Sequence, residues 1–233
     1  MSNRERLLGR LASAGLAWFG QDCALCGANS GPELLCPACA TGLPGLPEHC
    51  PRCALPTPGA SVCGSCLTHP PHFDRTTALW LYEFPCDRLV QALKYRAWLP
   101  LARFFADRLA TRPLPGIDLV VPMPLHRSRL AERGFNQAAE IARVVARRQG
   151  KPIELRCVQR VKDTPPQTAL PYEERAKNVR GAFMCRLDLT GASVAVVDDV
   201  MTTGATLDEL ARILKGAGAA RVENLVIART MLR

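Results

Sequence analysis

No stretch of this chain approaches the roughly 20 consecutive apolar residues that a membrane-spanning helix requires, so the sequence predicts no membrane span. Aromatic residues are scarce, at 6%. The segment Arg160 to Arg180 is basic, yet it carries only Tyr172, with Phe183 just beyond. That leaves few platforms on which the bases of a single strand could stack. Negative charge is also in the minority: 21 Asp and Glu against 30 Lys and Arg give a formal net charge of +9. Such an excess favours phosphates, nucleotides or nucleic acid as partners without choosing among them. Residues 21–68 lack regular hydrophobic periodicity and are rich in Cys, Pro and Gly. A segment of that kind cannot bury enough apolar surface to fold unaided and needs a staple. What the chain does have is length and apolar content. Its 233 residues, 48% hydrophobic, allow one medium domain plus a small module and exclude wholesale disorder.

The staple is visible in the cysteines. Of 11 in the chain, eight fall into four Cys-x-x-Cys pairs: Cys23/Cys26, Cys36/Cys39, Cys50/Cys53 and Cys63/Cys66. Each pair puts two thiolates on one tight turn, the knuckle geometry of tetrahedral zinc. Two four-cysteine sites use all eight ligands. Sequential pairing, which makes two successive ribbons, is preferred over an interleaved cross-brace. Both zinc ions should be structural, because four thiolates leave no open position for water. Cys86, Cys157 and Cys185 read as small buried hydrophobes. A disulfide scaffold fits a short secreted chain better than one carrying a nucleotide-type domain, so reduced thiols and a cytoplasmic setting are expected. Ahead of the ribbons, Leu7, Leu8, Leu11 and Leu16 suggest a short amphipathic helix within residues 1–20. The apolar run Leu11 to Phe19, interrupted by Ser13 and Gly15, is a poor signal peptide.

We place the boundary between the ribbon module (residues 21–70) and the main domain (71–233) near His69 to Phe73. Beyond it, helix and strand patterns alternate. Strands are expected over Thr76 to Phe84, Ile117 to Val121, Ile153 to Val158, Val194 to Val197 and Arg221 to Ala228. Helices are expected over Asp87 to Lys94, Leu99 to Thr111, Asn136 to Gln149 and Leu207 to Lys215. Thr164 to Pro171 reads as a loop. Alternation of this kind predicts an α/β domain: a mostly parallel sheet flanked by helices, with its ligand at the carboxyl ends of the strands.

One motif lies at such an end. Val194 to Thr206 reads VAVVDDVMTTGAT: an apolar strand, two carboxylates, a turn rich in hydroxyls and glycine, then an amphipathic helix. A phosphate at a helix N-terminus meets unpaired N–H groups and the positive end of the dipole. Gly204 lets the backbone approach closely. Asp198 and Asp199 would repel that phosphate, but they suit the vicinal hydroxyls of a ribose. The segment lacks the lysine of a P-loop and the spacing of a dinucleotide fingerprint. It resembles the phosphoribosyl-pyrophosphate (PRPP) motif of type I phosphoribosyltransferases. The resemblance makes Asp198, Asp199, Val200, Met201, Thr202, Thr203, Gly204, Ala205 and Thr206 the PRPP-binding residues, with Mg²⁺ accompanying the ligand.

A second anion site is expected in Val121 to Gln137, VPMPLHRSRLAERGFNQ. There Leu125, Arg127, Arg129 and Arg133 sit in a turn that should lie beside the first motif. Arginine forks match phosphate oxygens bidentately, which suits a pyrophosphate. His126 has no neighbouring nucleophile or carboxylate in the sequence and reads as structural. The basic segment Arg160 to Arg180 is a candidate for the mobile loop that closes over reactants in type I enzymes, and equally for a nucleic-acid contact.

Five features occur in this order: the tandem Cys-x-x-Cys pairs, LKYR (Leu93 to Arg96), PMPLHRSRLAERGFNQ, the TPPQTAL–RAKNVRGAF stretch and VVDDVMTTGAT. Together they resemble the ComF family of competence proteins over nearly the whole chain. The resemblance implies a double zinc ribbon fused to a phosphoribosyltransferase-like domain in the bacterial cytoplasm. It also implies a role in DNA uptake or utilisation. Two functions remain open. One is a PRPP-binding competence factor whose partners are single-stranded DNA and a helicase-type protein. The other is an active PRPP-dependent transferase, in which a nucleophile attacks the anomeric carbon and pyrophosphate leaves. No catalytic residue and no acceptor are legible in the sequence.

Overall fold

A computed structural model describes residues 20–163 and 178–231. The expected helix within residues 1–20 and most of the basic segment, including Thr164, Gln167, Thr168, Tyr172, Arg175 and Lys177, lie outside those residues. Backbone contacts divide the chain into two compact units, one up to Leu43 and one from Pro44 to Arg233.

The first unit is a single ribbon. The Cys23–Cys26 turn closes with Gly27 N donating to the Cys23 carbonyl at 3.0 Å. Gly27 takes φ 73°, which only a residue without Cβ adopts at no cost. A short helix, α1 (Pro37–Thr41), carries the second pair; Cys36 is its N-cap and proline stands at the first helical position. The same pattern recurs 27 positions later in the second unit (23 to 50, 26 to 53, 36 to 63, 39 to 66). Ala54, at φ 57°, stands where Gly27 stood, and α2 (Gly64–Thr68) carries Cys66.

The second unit continues into a four-stranded, wholly parallel sheet of order β1-β6-β5-β2, as expected for an α/β domain. Its strands are β1 (Arg75–Leu81), β2 (Leu119–Pro122), β5 (Ser193–Met201) and β6 (Arg221–Arg229). Helices α3 (Cys86–Arg96), α4 (Pro100–Leu109) and α6 (Gln137–Gln149) follow the expected apolar stripes, as does α7 (Ala205–Gly216). Val194 and Val196 pack with Leu207, Leu210 and Leu214 of α7 in one core. The alternate residues Ala195 and Val197 are equally buried. A strand covered on both faces reads as a continuous apolar run, and β5 does so up to its acidic pair.

Three expectations need correction. Ile153 to Val158 is not a strand of the main sheet: Ile153 makes only an isolated parallel bridge to Val120. Pairing resumes at β3 (Val158–Arg160), which runs antiparallel to β4 (Phe183–Cys185) in a separate two-stranded ribbon. The arginine-rich stretch is a helix, α5 (Arg127–Arg133), rather than a turn. The strand read as Val194 to Val197 runs on through the carboxylates to Met201, because β6 supplies partners as far as Arg229.

The second ribbon covers the β1 edge of the sheet. Thr76 N donates to the Pro51 carbonyl and Leu81 N to the Pro44 carbonyl. Gly45 bridges Trp80. An edge strand presents unpaired backbone groups, and ribbon carbonyls accept from two of them.

Candidate functional site

Parallel pairing puts the loop after β2 and the loop after β5 at the same end of the sheet. Pro122 stands opposite Val197, and Met123 N donates to the Val197 carbonyl at 2.8 Å. The two expected anion-binding stretches are therefore neighbours.

GFNQ explains the local folding between them. Gly134, at φ 80°, ends α5. Asn136 starts α6: its Oδ1 accepts from the amides of Ala138 and Ala139. Its Nδ2 donates to the Met123 carbonyl at 3.0 Å, fixing the helix start to the end of β2. Gln137 then donates from Nε2 to Asp199 Oδ2 at 2.6 Å, and its own Oε1 accepts from Arg133 Nη1.

The acidic pair is not symmetric. Asp199 is 4% exposed. One oxygen takes the Gln137 amide and the other meets Lys94 Nζ at 2.8 Å. Burial works to lower the Lys94 pKa, but the Asp199 charge and hydrogen bond outweigh it and hold the amine above its ordinary value. Asp198 is half-buried and accepts the Asp199 amide at 2.8 Å. Burial first, then the Asp199 charge, push its carboxyl up to about 7, with Lys94 opposing. Asp199 is thus anchored while Asp198 is poised near neutrality. Lys94 and Gln137 are site residues that the residue-by-residue reading missed. Their signals were present in LKYR and GFNQ, but a lone lysine on an amphipathic helix is ordinarily solvated.

The loop between β5 and α7 turns where the sequence places it. Met201 ends β5, Thr202 and Thr203 turn, and Gly204 at φ 86° is the N-cap of α7. Gly204 offers no capping side chain, and Thr203 Oγ1 accepts from Ala205 N at 3.3 Å. A Cβ on Gly204 would stand 2.6 Å from Met201 Cε. Val200 is half-buried and Met201 buried, so these two shape the loop from behind.

The helical period separates the expected pyrophosphate residues. Arg129 and Arg133, one turn apart, line a cavity of about 530 Å³ together with Lys94, Tyr95 and Asp163. Arg133 also lies over the Tyr95 ring at 5.8 Å. Leu125 and Arg127 line a different opening, of about 470 Å³, with His126 and Arg160. His126 has a carboxylate nearby after all: Asp163 Oδ2 is 3.4 Å from its Nδ1 and accepts from the Ser128 hydroxyl at 2.6 Å. That hydroxyl holds Asp163 below the usual carboxylate range.

The eight cysteines form two clusters, Cys23/Cys26/Cys36/Cys39 and Cys50/Cys53/Cys63/Cys66, with ligand atoms within 4.8 Å of one another. Pairing is therefore sequential. Cys26 and Cys36 sulfurs stand 3.7 Å apart and those of Cys53 and Cys63 3.6 Å. Tetrahedral zinc with Zn–S bonds of about 2.3 Å requires sulfurs roughly 3.8 Å apart, whereas a disulfide requires about 2 Å. The donor sets fit two structural zinc ions. Among the described residues no other His, Cys, Asp and Glu cluster could hold a metal. Cys86 and Cys157 are buried, and burial pushes their thiols up to about 12 and about 11, as inert core residues. No helix among the described residues is long and apolar enough to cross a membrane.

Comparison with known proteins matches residues 17–67 to the double zinc ribbon domain and residues 130–231 to the phosphoribosyl transferase domain. A DNA utilization protein, YhgH, of Salmonella typhi is 33% identical over 84% of this chain and 91% of its own. Competence protein F of Haemophilus influenzae is 30% identical over 84% of this chain and 90% of its own. Competence protein ComFC of Bacillus subtilis is 25% identical over 85% of each. A solved glutamine PRPP amidotransferase of Bacillus subtilis overlaps 54% of this chain and 25% of its own at 20% identity, with a TM-score of 0.38.

Proposed function

The chain belongs to the ComF family of competence and DNA-utilization proteins, and from that premise we propose that it binds PRPP in the cytoplasm in support of DNA uptake or utilisation. The observation that carries the ligand is the pairing of two subsites on one sheet end. Thr202 to Thr206 opens a helix of 12 residues, and the acidic pair, of which Asp199 is anchored, precedes it at the end of β5. The helix N-terminus suits the 5′-phosphate. Asp198 suits the ribose hydroxyls, and its ionised carboxylate offers each of them an acceptor oxygen. Lys94, Arg129 and Arg133 line the adjoining cavity and suit the pyrophosphate. Mg²⁺ would arrive on the pyrophosphate and keep most of its waters, since it dehydrates reluctantly.

In this role the partners are incoming single-stranded DNA, attracted by the net charge of +9, and a helicase-type competence protein. The test is complementation. In a strain lacking the protein, the wild-type chain should restore growth on DNA as the carbon source, and Asp198→Ala should not. Equal restoration by both would show that DNA utilisation does not use this site.

A further inference from the structure

One buried side chain joins the second zinc centre to the phosphate loop. Arg229, the last residue of β6, is 1% exposed. Its Nε donates to the Cys53 carbonyl at 2.8 Å. Its Nη1 donates to the Met201 carbonyl at 3.0 Å and to the Thr202 carbonyl. Cys53 belongs to the second four-cysteine cluster, and Met201 and Thr202 open the loop that enters α7. A planar fork presents donors at fixed, separated positions to two backbones, whereas the ammonium of a lysine gathers its three donors at one point.

The packing around this fork is continuous. Cys53, Ala54, Cys66, Phe73, Met201 and Leu207 share one core. His72 N donates to Asp208 Oδ1, in the first turn of α7, at 2.6 Å. A cavity of about 320 Å³ lies against the fork, with the cysteine turns on one wall and Thr203 to Ala205 on the other. A buried guanidinium is costly unless its donors are met. The Cys53 carbonyl meets one of them, and its place depends on the metal-bound knuckle.

We propose that Arg229 couples the second zinc centre to the phosphate loop. Loss of zinc from Cys50, Cys53, Cys63 and Cys66 loosens Met201 to Thr206 and weakens ligand binding there. By linkage, ligand on the loop raises the affinity of this centre for zinc. The ligand half of this coupling rests on the PRPP reading; the loop half does not.

Amide hydrogen exchange of the full chain, read over Met201 to Leu207 with zinc counted in parallel, tests it. Cys63→Ala should retain about one zinc per chain and exchange the loop faster by about tenfold, the worth of roughly one charge-assisted hydrogen bond. Cys63→His, which keeps a zinc ligand, should behave as wild type. Arg229→Lys should keep both zinc ions yet show the faster loop. If that variant fails to fold, the two Cys63 variants decide. Unchanged exchange in Cys63→Ala after one zinc is lost would overturn the coupling. Adding PRPP with Mg²⁺ to the wild type separates the two readings. If PRPP gives no protection while Cys63→Ala loosens the loop, the coupling stands and the PRPP reading fails. If PRPP protects the loop but zinc loss does not loosen it, the coupling fails and the PRPP reading stands.

Discussion

Asp198→Asn should stabilise the protein at neutral pH while abolishing PRPP binding. Burial first, then the Asp199 charge, push the carboxyl up to about 7 in the fold from an ordinary value of 3.8. The folded state therefore holds its proton over a range where the unfolded state has lost it. More protons bound in the native state means that stability falls as pH rises. The penalty builds from pH 3.8 to about 7 and is level above. Its upper bound above pH 7 is about 4 kcal/mol, taking about 1.4 kcal/mol per pH decade. Partial exposure of Asp198 reduces that, and we expect a net gain of about 1–3 kcal/mol for the asparagine. The assay is urea unfolding of both proteins at pH 6 and pH 8, at fixed ionic strength, in a range where zinc thiolates persist. Wild type should lose about 1 kcal/mol relative to the variant between those two pH values. An asparagine variant that is less stable than wild type at pH 8, or a gap that does not change with pH, would refute the reasoning.

Other outcomes follow from the same geometry. Lys94→Met removes one partner of a carboxylate that is 4% exposed and should cost about 2–4 kcal/mol in chemical denaturation; Lys94→Met combined with Asp199→Leu should recover much of it. Gly204→Ala forces an L residue to φ 86° with its Cβ against Met201 Cε, so a loss of about 1–3 kcal/mol is expected, together with weaker PRPP binding by fluorescence competition. Asn136→Ala deletes a cap and a tether to Met123 and should lower stability by roughly 1–2 kcal/mol. Metal analysis of the wild type should give about two zinc ions per chain, and a strong chelator should unfold both ribbons.

The sequence carried most of the sheet because Val194 to Val197 of β5 and Leu225 to Ala228 of β6 are unbroken apolar runs, buried on both faces, although the carboxylates hid the end of β5 at Met201. The cysteine pairs were legible for a different reason: a knuckle spacing is local, and metal chemistry fixes it without help from the rest of the chain. Arg127 to Arg133 was misread because a seven-residue basic helix has no apolar stripe to announce it; its helicity comes from His126 as cap and Gly134 as terminator. The Ile153 to Val158 run is apolar enough for a strand, but whether it pairs with the main sheet is decided by a non-local partner. The asymmetry of Asp198 and Asp199 was hidden for the same reason. Strand alternation sends neighbours to opposite faces, and only tertiary packing brings Lys94 and Gln137 to one of them. Arg229, at the end of an apolar strand, gave no sign that it reaches the Cys53 carbonyl 176 positions earlier.

The most direct measurement is isothermal titration of PRPP with Mg²⁺ into the full-length protein, beside the Asp198→Ala/Asp199→Ala variant. One saturable site in the wild type, lost in the variant, is the predicted result. A flat titration of folded, zinc-loaded wild type would contradict the assignment of the site.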